Sequence, residues 1–205
     1  MPRDGSATRQ RILDRAEHLV IEQGFAATSV EQVIAAADSS KGAFFNHFPT
    51  KTALAAALVE RYVEGDIAHL DAGLAAAEAV SDDPAEQLVH FVRSFEEEGD
   101  ALLAAQSSCL YVSILTERQL VDDGTAEPIV RAIDAWRIAL ERKIHAAVAA
   151  RPHVTGLDAA DLADHVFVTF EGAFILCRST GDPSHMRRQL GVLRRLLESL
   201  FGTSG

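Results

Sequence analysis

Apolar residues recur along the whole chain at the spacing of one helical face, and strand-like alternation of apolar and polar residues does not occur. The first such segment places Ile12, Leu13, Ala16, Leu19 and Val20 on one stripe of an amphipathic helix. Alanine is abundant and clusters of β-branched residues are sparse, which also favours helices. The pattern predicts an all-α fold of about nine helices, over about 8–23, 28–37, 40–46, 51–77, 84–98, 101–119, 126–150, 159–179 and 184–201.

Helix caps and breakers mark the ends of these segments. Gly24 stands where a left-handed C-terminal cap is expected. Thr28 and Glu31 have the spacing of a capping box, with the threonine as N-cap of the second helix. Pro49 ends the third helix, and the glycine and aspartate at 99–100 are expected to interrupt a helix. Short helices are thus expected near the N-terminus and long ones after it.

The charge is unevenly distributed. The 205 residues carry 19 basic and 30 acidic side chains, a net charge of −11, which taken alone argues against a nucleic acid as partner. The first 60 residues hold six of the basic and seven of the acidic residues, so most of the negative charge belongs to the rest of the chain. That acidic part would repel a polyanion and limit how the protein orients on it, although a solvated acidic surface explains the same charges.

The composition indicates a globular, cytoplasmic protein. Hydrophobic residues make up 48% and charged residues 24% of the chain. The sequence contains no run of about 18 apolar residues that would predict a membrane span. It also shows no apolar segment at the N-terminus that would predict secretion. Cys109 and Cys177 lie far apart in apolar segments, which is typical of reduced, packed thiols and insufficient for a four-ligand zinc site. We expect no metal and no cofactor.

Two short helices over about 28–46, joined by a tight turn and preceded by a longer helix, form the pattern of a helix-turn-helix unit. A helix of two turns fits the major groove of DNA, and the turn fixes its angle to its partner helix. Helix N-termini offer free N–H groups and a positive dipole end to phosphate, and here they contain the hydroxyl residues at 28–29, 39–40 and 50. We therefore expect DNA binding, with a small aromatic core that lacks DNA affinity as the other interpretation.

Three segments carry a resemblance to a known family. Residues 8–16 (TRQRILDRA), 24–30 (GFAATSV) and 40–51 (SKGAFFNHFPTK) resemble the N-terminal part of TetR/AcrR-family bacterial transcriptional regulators. The match covers about the first 60 residues; the rest of the chain is similar in architecture, and more loosely in sequence near its last two helices. The resemblance implies a helix-turn-helix DNA-binding domain over 1–50 and a helical effector-binding and dimerisation domain over 51–205.

The resemblance also implies which residues contact DNA. Lys41 would contact phosphate or a base edge, Lys51 would clamp a phosphate, and Phe44 and Phe48 would pack inward. Phe45 departs from the family, where many members carry a tyrosine whose hydroxyl reaches a phosphate; its ring would instead touch a thymine methyl. The candidate DNA-binding residues are Thr28, Ser29, Ser39, Ser40, Lys41, Gly42, Ala43, Phe45, Asn46, His47, Thr50 and Lys51.

The last two predicted helices, about 159–179 and 184–201, are apolar on more than one face. The family forms homodimers through these helices, and a four-helix bundle from two chains would bury both faces; burial within one chain is the competing account. Candidate ligand-binding residues are polar or aromatic residues on apolar faces, although many would equally suit the core: His90, Phe91, Phe95, Cys109, Ser113, Trp136, Phe167, Phe170, Glu171 and Phe174. Among them Glu171 is the strongest polar candidate, because a buried carboxylate needs a partner.

Two functions are consistent with these patterns. The first is a ligand-responsive repressor that binds a palindromic operator as a homodimer and is released by a small, largely apolar effector. The alternative is a helical small-molecule-binding protein with weak or lost DNA binding. The small number of cations in the third predicted helix and the presence of Phe45 would favour this alternative. An enzyme is not expected, because the sequence has no Glu-x-x-His pair, no glycine-rich phosphate loop and no nucleophile elbow.

Overall fold

The computed structural model describes residues 5–105 and 126–203, with side chains for 5–99 and 126–203. These residues contain no strand and eight helices: α1 (Gly5–Gln23), α2 (Val30–Ala36), α3 (Lys41–His47), α4 (Lys51–Val80), α5 (Pro84–Ala105), α6 (Ala126–Ala149), α7 (Ala159–Thr180) and α8 (Ser184–Phe201). The predicted all-α class is confirmed, with eight helices in the described part where about nine were expected in the whole chain. None of the described helices is both long and apolar enough to cross a membrane.

The α2 helix has Ser29, rather than Thr28, as its N-cap. The Ser29 hydroxyl accepts from the N–H of Gln32 at 3.1 Å, and Gln32 Oε1 accepts from the Ser29 N–H at 2.7 Å. The capping box predicted for Thr28 and Glu31 is therefore wrong by one position. The Thr28 hydroxyl instead donates to the carbonyl of Gly24 at 2.8 Å, and its side chain is buried.

The α5 helix runs through residues 99–100, where an interruption was predicted. Gly99 is buried, and a Cβ on it would lie 3.1 Å from Met186 Cγ of α8. The glycine brings two helices close together rather than ending one, and this packing offsets its low helix propensity. Of the helix predicted over 101–119, residues 101–105 belong to α5, and 106–119 lie outside the described residues.

The described chain divides into two compact units, and the boundaries between them fall inside α4 and α6. Unit 1 comprises residues 5–64 and 126–130, and unit 2 comprises 65–105 and 131–203. Burial of each large side chain contributes about 1.5–3 kcal/mol, which stabilises the short helices of unit 1 against one another. Its interior consists of apolar side chains from α1 to α4, among them Ile12, Leu13, Ala16, Val20, Val33, Phe44, Phe48, Leu54 and Leu58.

In unit 2, α8 packs against both α5 and α7. A polar contact joins it to α5, since Arg194 donates to Glu96 at 2.7 Å; within α8, Arg194 also donates to Glu198 at 2.8 Å. These hydrogen bonds raise the pKa of the Arg194 guanidinium above its ordinary value. A Cβ on Gly191 would lie 2.7 Å from Glu96 Oε1, so the glycine makes room for this carboxylate. The buried face of α8 carries Met186, Leu190, Gly191, Leu193, Leu197 and Phe201.

Candidate nucleic-acid interface and effector site

The turn between α2 and α3 has a defined geometry. The Ser39 N–H donates to the carbonyl of Ile34 at 3.1 Å, which closes the end of α2. Asp38 has a φ of 45°, in the left-handed region that residues other than glycine rarely adopt. The Ser40 hydroxyl accepts from the N–H of Ala43 at 3.1 Å and so caps α3. The turn therefore sets the direction of α3 relative to α2.

The α3 helix is anchored on one side and exposed on the other. Phe44 is fully buried and Phe48 is 2% exposed, which confirms that both pack inward. Their ring centroids are 5.9 Å apart. Two predicted site residues, Ala43 and His47, are half-buried at the edge of the helix. The exposed face, which we call the α3 face, consists of Lys41, Gly42, Phe45 and Asn46.

The hydroxyl residues that are predicted to contact phosphate lie at the N-termini of helices. Ser29 and Ser40 cap α2 and α3, and the Thr50 hydroxyl accepts from the N–H of Ala53 at 2.9 Å. A hydroxyl that accepts from the backbone keeps its own O–H to donate, so these caps remain able to bond a phosphate oxygen. Ser39 is half-buried beside Ser40. The buried Thr28 donates its hydroxyl to Gly24, and we therefore leave it out of the interface.

Two cations fasten the turns of unit 1. Lys51 Nζ donates to the carbonyl of Phe25 at 2.7 Å and lies 4.3 Å from the centroid of the Phe25 ring. Arg11 Nε donates to the carbonyl of Ala37, the C-cap of α2, at 2.8 Å. The phosphate clamp predicted for Lys51 would compete with these bonds, because the ammonium already joins the start of α4 to the turn after α1. We therefore assign Lys51 a positioning role.

Five of the predicted ligand-binding residues meet in unit 2. They form what we call the aromatic cluster: Phe91, Phe95, Trp136, Phe167 and Phe170. Neighbouring ring centroids in the cluster lie between 4.9 Å (Phe91 and Phe95) and 6.3 Å (Phe91 and Phe170) apart. The rings come from α5, α6 and α7, so helix packing alone brings them together. Three of the seven ring contacts described in the cluster are edge-to-face, an arrangement that aromatic rings prefer, and four are tilted.

The remaining predicted ligand residues are less closely grouped. Phe174 is half-buried and packs against the core of unit 2. His90 and Glu171 are also half-buried, so Glu171 is not the fully buried carboxylate that its apolar neighbours in sequence suggested. Cys109 and Ser113 lie outside the described residues.

Sequence reasoning missed two polar residues beside the aromatic cluster. Asp66 Oδ2 accepts from Trp136 Nε1 at 2.9 Å. The His69 ring meets the edge of Phe95 with centroids 4.7 Å apart, and its buried Nε2 has no hydrogen-bond partner among the described residues. Both lie on α4, together with Gly73, at the i, i+3 and i+7 spacing of one helical face. That spacing is the signal in the sequence that would have found them.

A third feature of unit 2 is an exposed apolar face on α7 and α8, which we call the α7/α8 face. Its side chains are between 41% (Leu176) and 61% (Val168) exposed. Exposed large apolar side chains on two helices that pack against each other are typical of a surface that a protein covers. The face consists of Val168, Ile175, Leu176, Val192 and Leu196.

Comparison with known proteins gives two matching family models. The model described as bacterial regulatory proteins, tetR family, matches residues 12–58, which contain α2 and α3. The model described as tetracyclin repressor-like, C-terminal domain, matches residues 84–193, more than half of the chain. The two matches cover most of both units.

Individual proteins agree with the family models. The transcriptional regulator AcuR of Cereibacter sphaeroides (strain ATCC 17023) is 25% identical over 189 residues, which are 89% of this chain and 82% of that protein. The HTH-type transcriptional repressor DhaR of Mycobacterium sp. (strain GP1) is 23% identical over 128 residues, 62% of this chain and 61% of that protein. A solved TetR-family transcriptional regulator from Cytophaga hutchinsonii, 22% identical, has the same fold, with a TM-score of 0.76 over 98% of both chains.

Proposed function

Because the chain belongs to the TetR family of bacterial regulatory proteins, whose members are DNA-binding regulators rather than enzymes, we propose that it is a ligand-responsive repressor. It binds a palindromic operator as a homodimer in the cytoplasm and is released by a small, largely apolar effector. The observation that carries the proposal is the α3 face, which buried Phe44 and Phe48 hold outward. That DhaR is described as a transcriptional repressor supports repression over activation.

In this proposal α3 enters the major groove of DNA with the α3 face toward the bases. The Asn46 amide carries the donor and acceptor that pair with N7 and N6 of adenine. Lys41 bonds a phosphate or a guanine edge, and Gly42 lets the backbone approach. The hydroxyls of Ser29 and Thr50 donate to phosphates on either side of the groove. Ser39, Ser40, Ala43 and His47 complete the contact surface.

The homodimer is proposed to form through the α7/α8 face. Burying exposed apolar surface is the main driving force of most protein association, and two copies of this face give a four-helix bundle. A two-fold axis places two α3 helices on successive major grooves, about 34–36 Å apart. The operator is then a palindrome, and the complete site binds far more tightly than one half-site.

The effector is proposed to bind at the aromatic cluster. The rings offer apolar surface, and the polar atoms of Asp66 and His69 lie beside them on α4. Since α4 contributes residues to both units, a shift of this helix would change the separation of the two α3 helices in the dimer. To release most of the DNA, the effector must prefer the non-binding state by roughly 3–5 kcal/mol.

Selection of duplexes from a random library by the full chain tests DNA binding and dimerisation together. We expect palindromic sequences, and fluorescence anisotropy should show weaker binding to a single half-site. Leu196→Glu should give a monomer in sedimentation and lose the preference for the complete site. Val80→Glu is the matched control, because Val80 is 63% exposed but lies outside the α7/α8 face.

Each outcome decides between functions. A wild-type dimer that Leu196→Glu does not weaken would contradict the proposed interface. If no duplex is selected even in dilute buffer, the alternative of a helical small-molecule-binding protein replaces the repressor.

Trp136 is the only tryptophan of the chain, so its fluorescence reports on the aromatic cluster directly. Small aromatic compounds that change this fluorescence should also release the operator.

A further inference from the structure

Phe45 is unusual among the large apolar side chains of residues 5–64 in unit 1. Among residues 5–64 it is the one that is exposed, with 40% of its surface accessible. Its ring meets the buried Phe44 ring edge-on, with centroids 5.3 Å apart and an angle of 84° between the planes. The contact orients the exposed ring, and an aromatic side chain has few rotatable bonds to immobilise on binding.

The chemistry of the ring limits what it can contact on DNA. Phenylalanine has no donor or acceptor, so it cannot bond a phosphate or the polar edge of a base. Placing an apolar ring against a phosphate would remove water from a charged group without replacing its hydrogen bonds. In the major groove, the apolar group on the base edges is the C5-methyl of thymine.

The surroundings of Phe45 leave room for this contact. Gly42 lies three residues earlier on the α3 face, and a Cβ on it would meet nothing within 4 Å. Residues three apart are neighbours on a helix surface, so the glycine leaves one flank of the ring uncovered. Asn46, the next residue of the α3 face, is also exposed, and its amide suits an adenine of an A·T pair.

We infer that Phe45 determines operator specificity by packing on the C5-methyl of one thymine in each half-site. This inference rests on the proposed DNA-binding function and adds one named base contact to it. The contact consists of van der Waals and hydrophobic interaction alone, so it depends on the methyl group and on the ring, and on no hydrogen bond between them.

Deoxyuridine tests the inference, because it differs from thymidine only by the missing C5-methyl. The thymines of the selected half-site are replaced one position at a time, and each replacement is made in both half-sites of the palindrome. The affinity of each duplex is then measured by fluorescence anisotropy. At one position the replacement should weaken wild-type binding about fourfold for each half-site, the effect of removing one buried methyl group. For Phe45→Ala, the thymine and uracil duplexes should bind equally, whereas Phe45→Tyr keeps the ring and should keep most of the discrimination.

The failures are distinguishable. If the wild type selects an operator but tolerates every uracil within twofold, the thymine contact is absent and the proposed DNA binding still holds. If the uracil effect persists in Phe45→Ala, a different residue contacts the methyl group, and the assignment to Phe45 is overturned. If no operator is selected, both the inference and the DNA-binding function fail. Circular dichroism of each variant shows that it is folded.

Discussion

The two units use most of their cations differently. In unit 1, Arg11 and Lys51 donate to backbone carbonyls at 2.8 and 2.7 Å, whereas Arg61 pairs with Asp14 and Glu17. In unit 2, Arg194 pairs with two glutamates and Arg151 pairs with Asp83. A cation bonded to a neutral carbonyl keeps its full charge, whereas a carboxylate neutralises most of it. The bonds of Arg11 and Lys51 to carbonyls therefore leave the charge of these two side chains available to attract phosphate.

This difference explains how a chain with a net charge of −11 can bind a polyanion. Electrostatic attraction acts over about 8–10 Å at physiological salt, so a cation need not touch a phosphate to contribute. The exposed surfaces of the two units also differ in composition. The α3 face combines two polar side chains, Lys41 and Asn46, with Phe45, whereas the α7/α8 face consists of large apolar side chains. The first suits DNA and the second suits a protein.

The largest effect we expect separates two adjacent residues of α3. Phe44→Ala removes a fully buried ring from unit 1 and should lower the free energy of unfolding by about 3–5 kcal/mol. Phe45→Ala should change it by less than about 1 kcal/mol, because that ring is 40% exposed. Urea denaturation followed by circular dichroism measures both. Equal losses in the two variants would contradict the division of α3 into a buried and an exposed side.

Periodicity and caps were sufficient to predict most of the fold. Apolar spacing predicts α1, because a helix with one apolar stripe has one way to bury it, whereas the inward positions of Phe44 and Phe48 were implied by the family resemblance. The ends of α7 lie within one residue of the predicted 159–179, since Asp158 and Gly181 cap the helix through their own local backbone. The capping box failed where Thr28 and Ser29 are adjacent and chemically equivalent, and only packing decides between them.

What sequence could not predict depends on partners far along the chain. Lys51 bonds a carbonyl 26 residues away, which no spacing rule anticipates. Asp66 and His69 join the aromatic cluster only because α4 crosses near α5 and α6 in unit 2. Gly99 looked like a helix breaker, but α8 packs on it closely enough to keep the helix intact.

Replacing the two lysines of the helix-turn-helix should give opposite results. Lys51→Met removes a charged hydrogen bond and a cation–π contact and should lower stability by about 1.5–3 kcal/mol. Lys41→Met should leave stability nearly unchanged, since this side chain is exposed. It should weaken DNA binding instead and reduce the slope of log affinity against log salt by about 0.9 per chain. A stable Lys51→Met protein would refute the positioning role of Lys51.

Acid should weaken the charge pairing that distinguishes unit 2. The hydrogen bond from Arg151 lowers the pKa of Asp83 below its ordinary value of 3.8. A depressed pKa in the folded state gives stability that is present above the unfolded value and is lost as pH falls through the folded one. Asp83→Asn should therefore cost about 1 kcal/mol at neutral pH and progressively less below the ordinary carboxyl range. A difference between the two proteins that stays constant on acidification would contradict this.

The smallest effect we expect concerns the turn of unit 1, where Asp38 has a φ of 45°. Asp38→Gly relieves backbone strain but adds chain entropy to the unfolded state, and the net gain should be about 0.5 kcal/mol. Asp38→Ala removes the same negative charge and keeps the strain, so it should lose stability by a similar amount. Both variants should bind the operator more tightly than the wild type, because each removes a negative charge beside the α3 face. If Asp38→Ala binds no better than the wild type while Asp38→Gly does, backbone geometry rather than charge controls affinity at this turn.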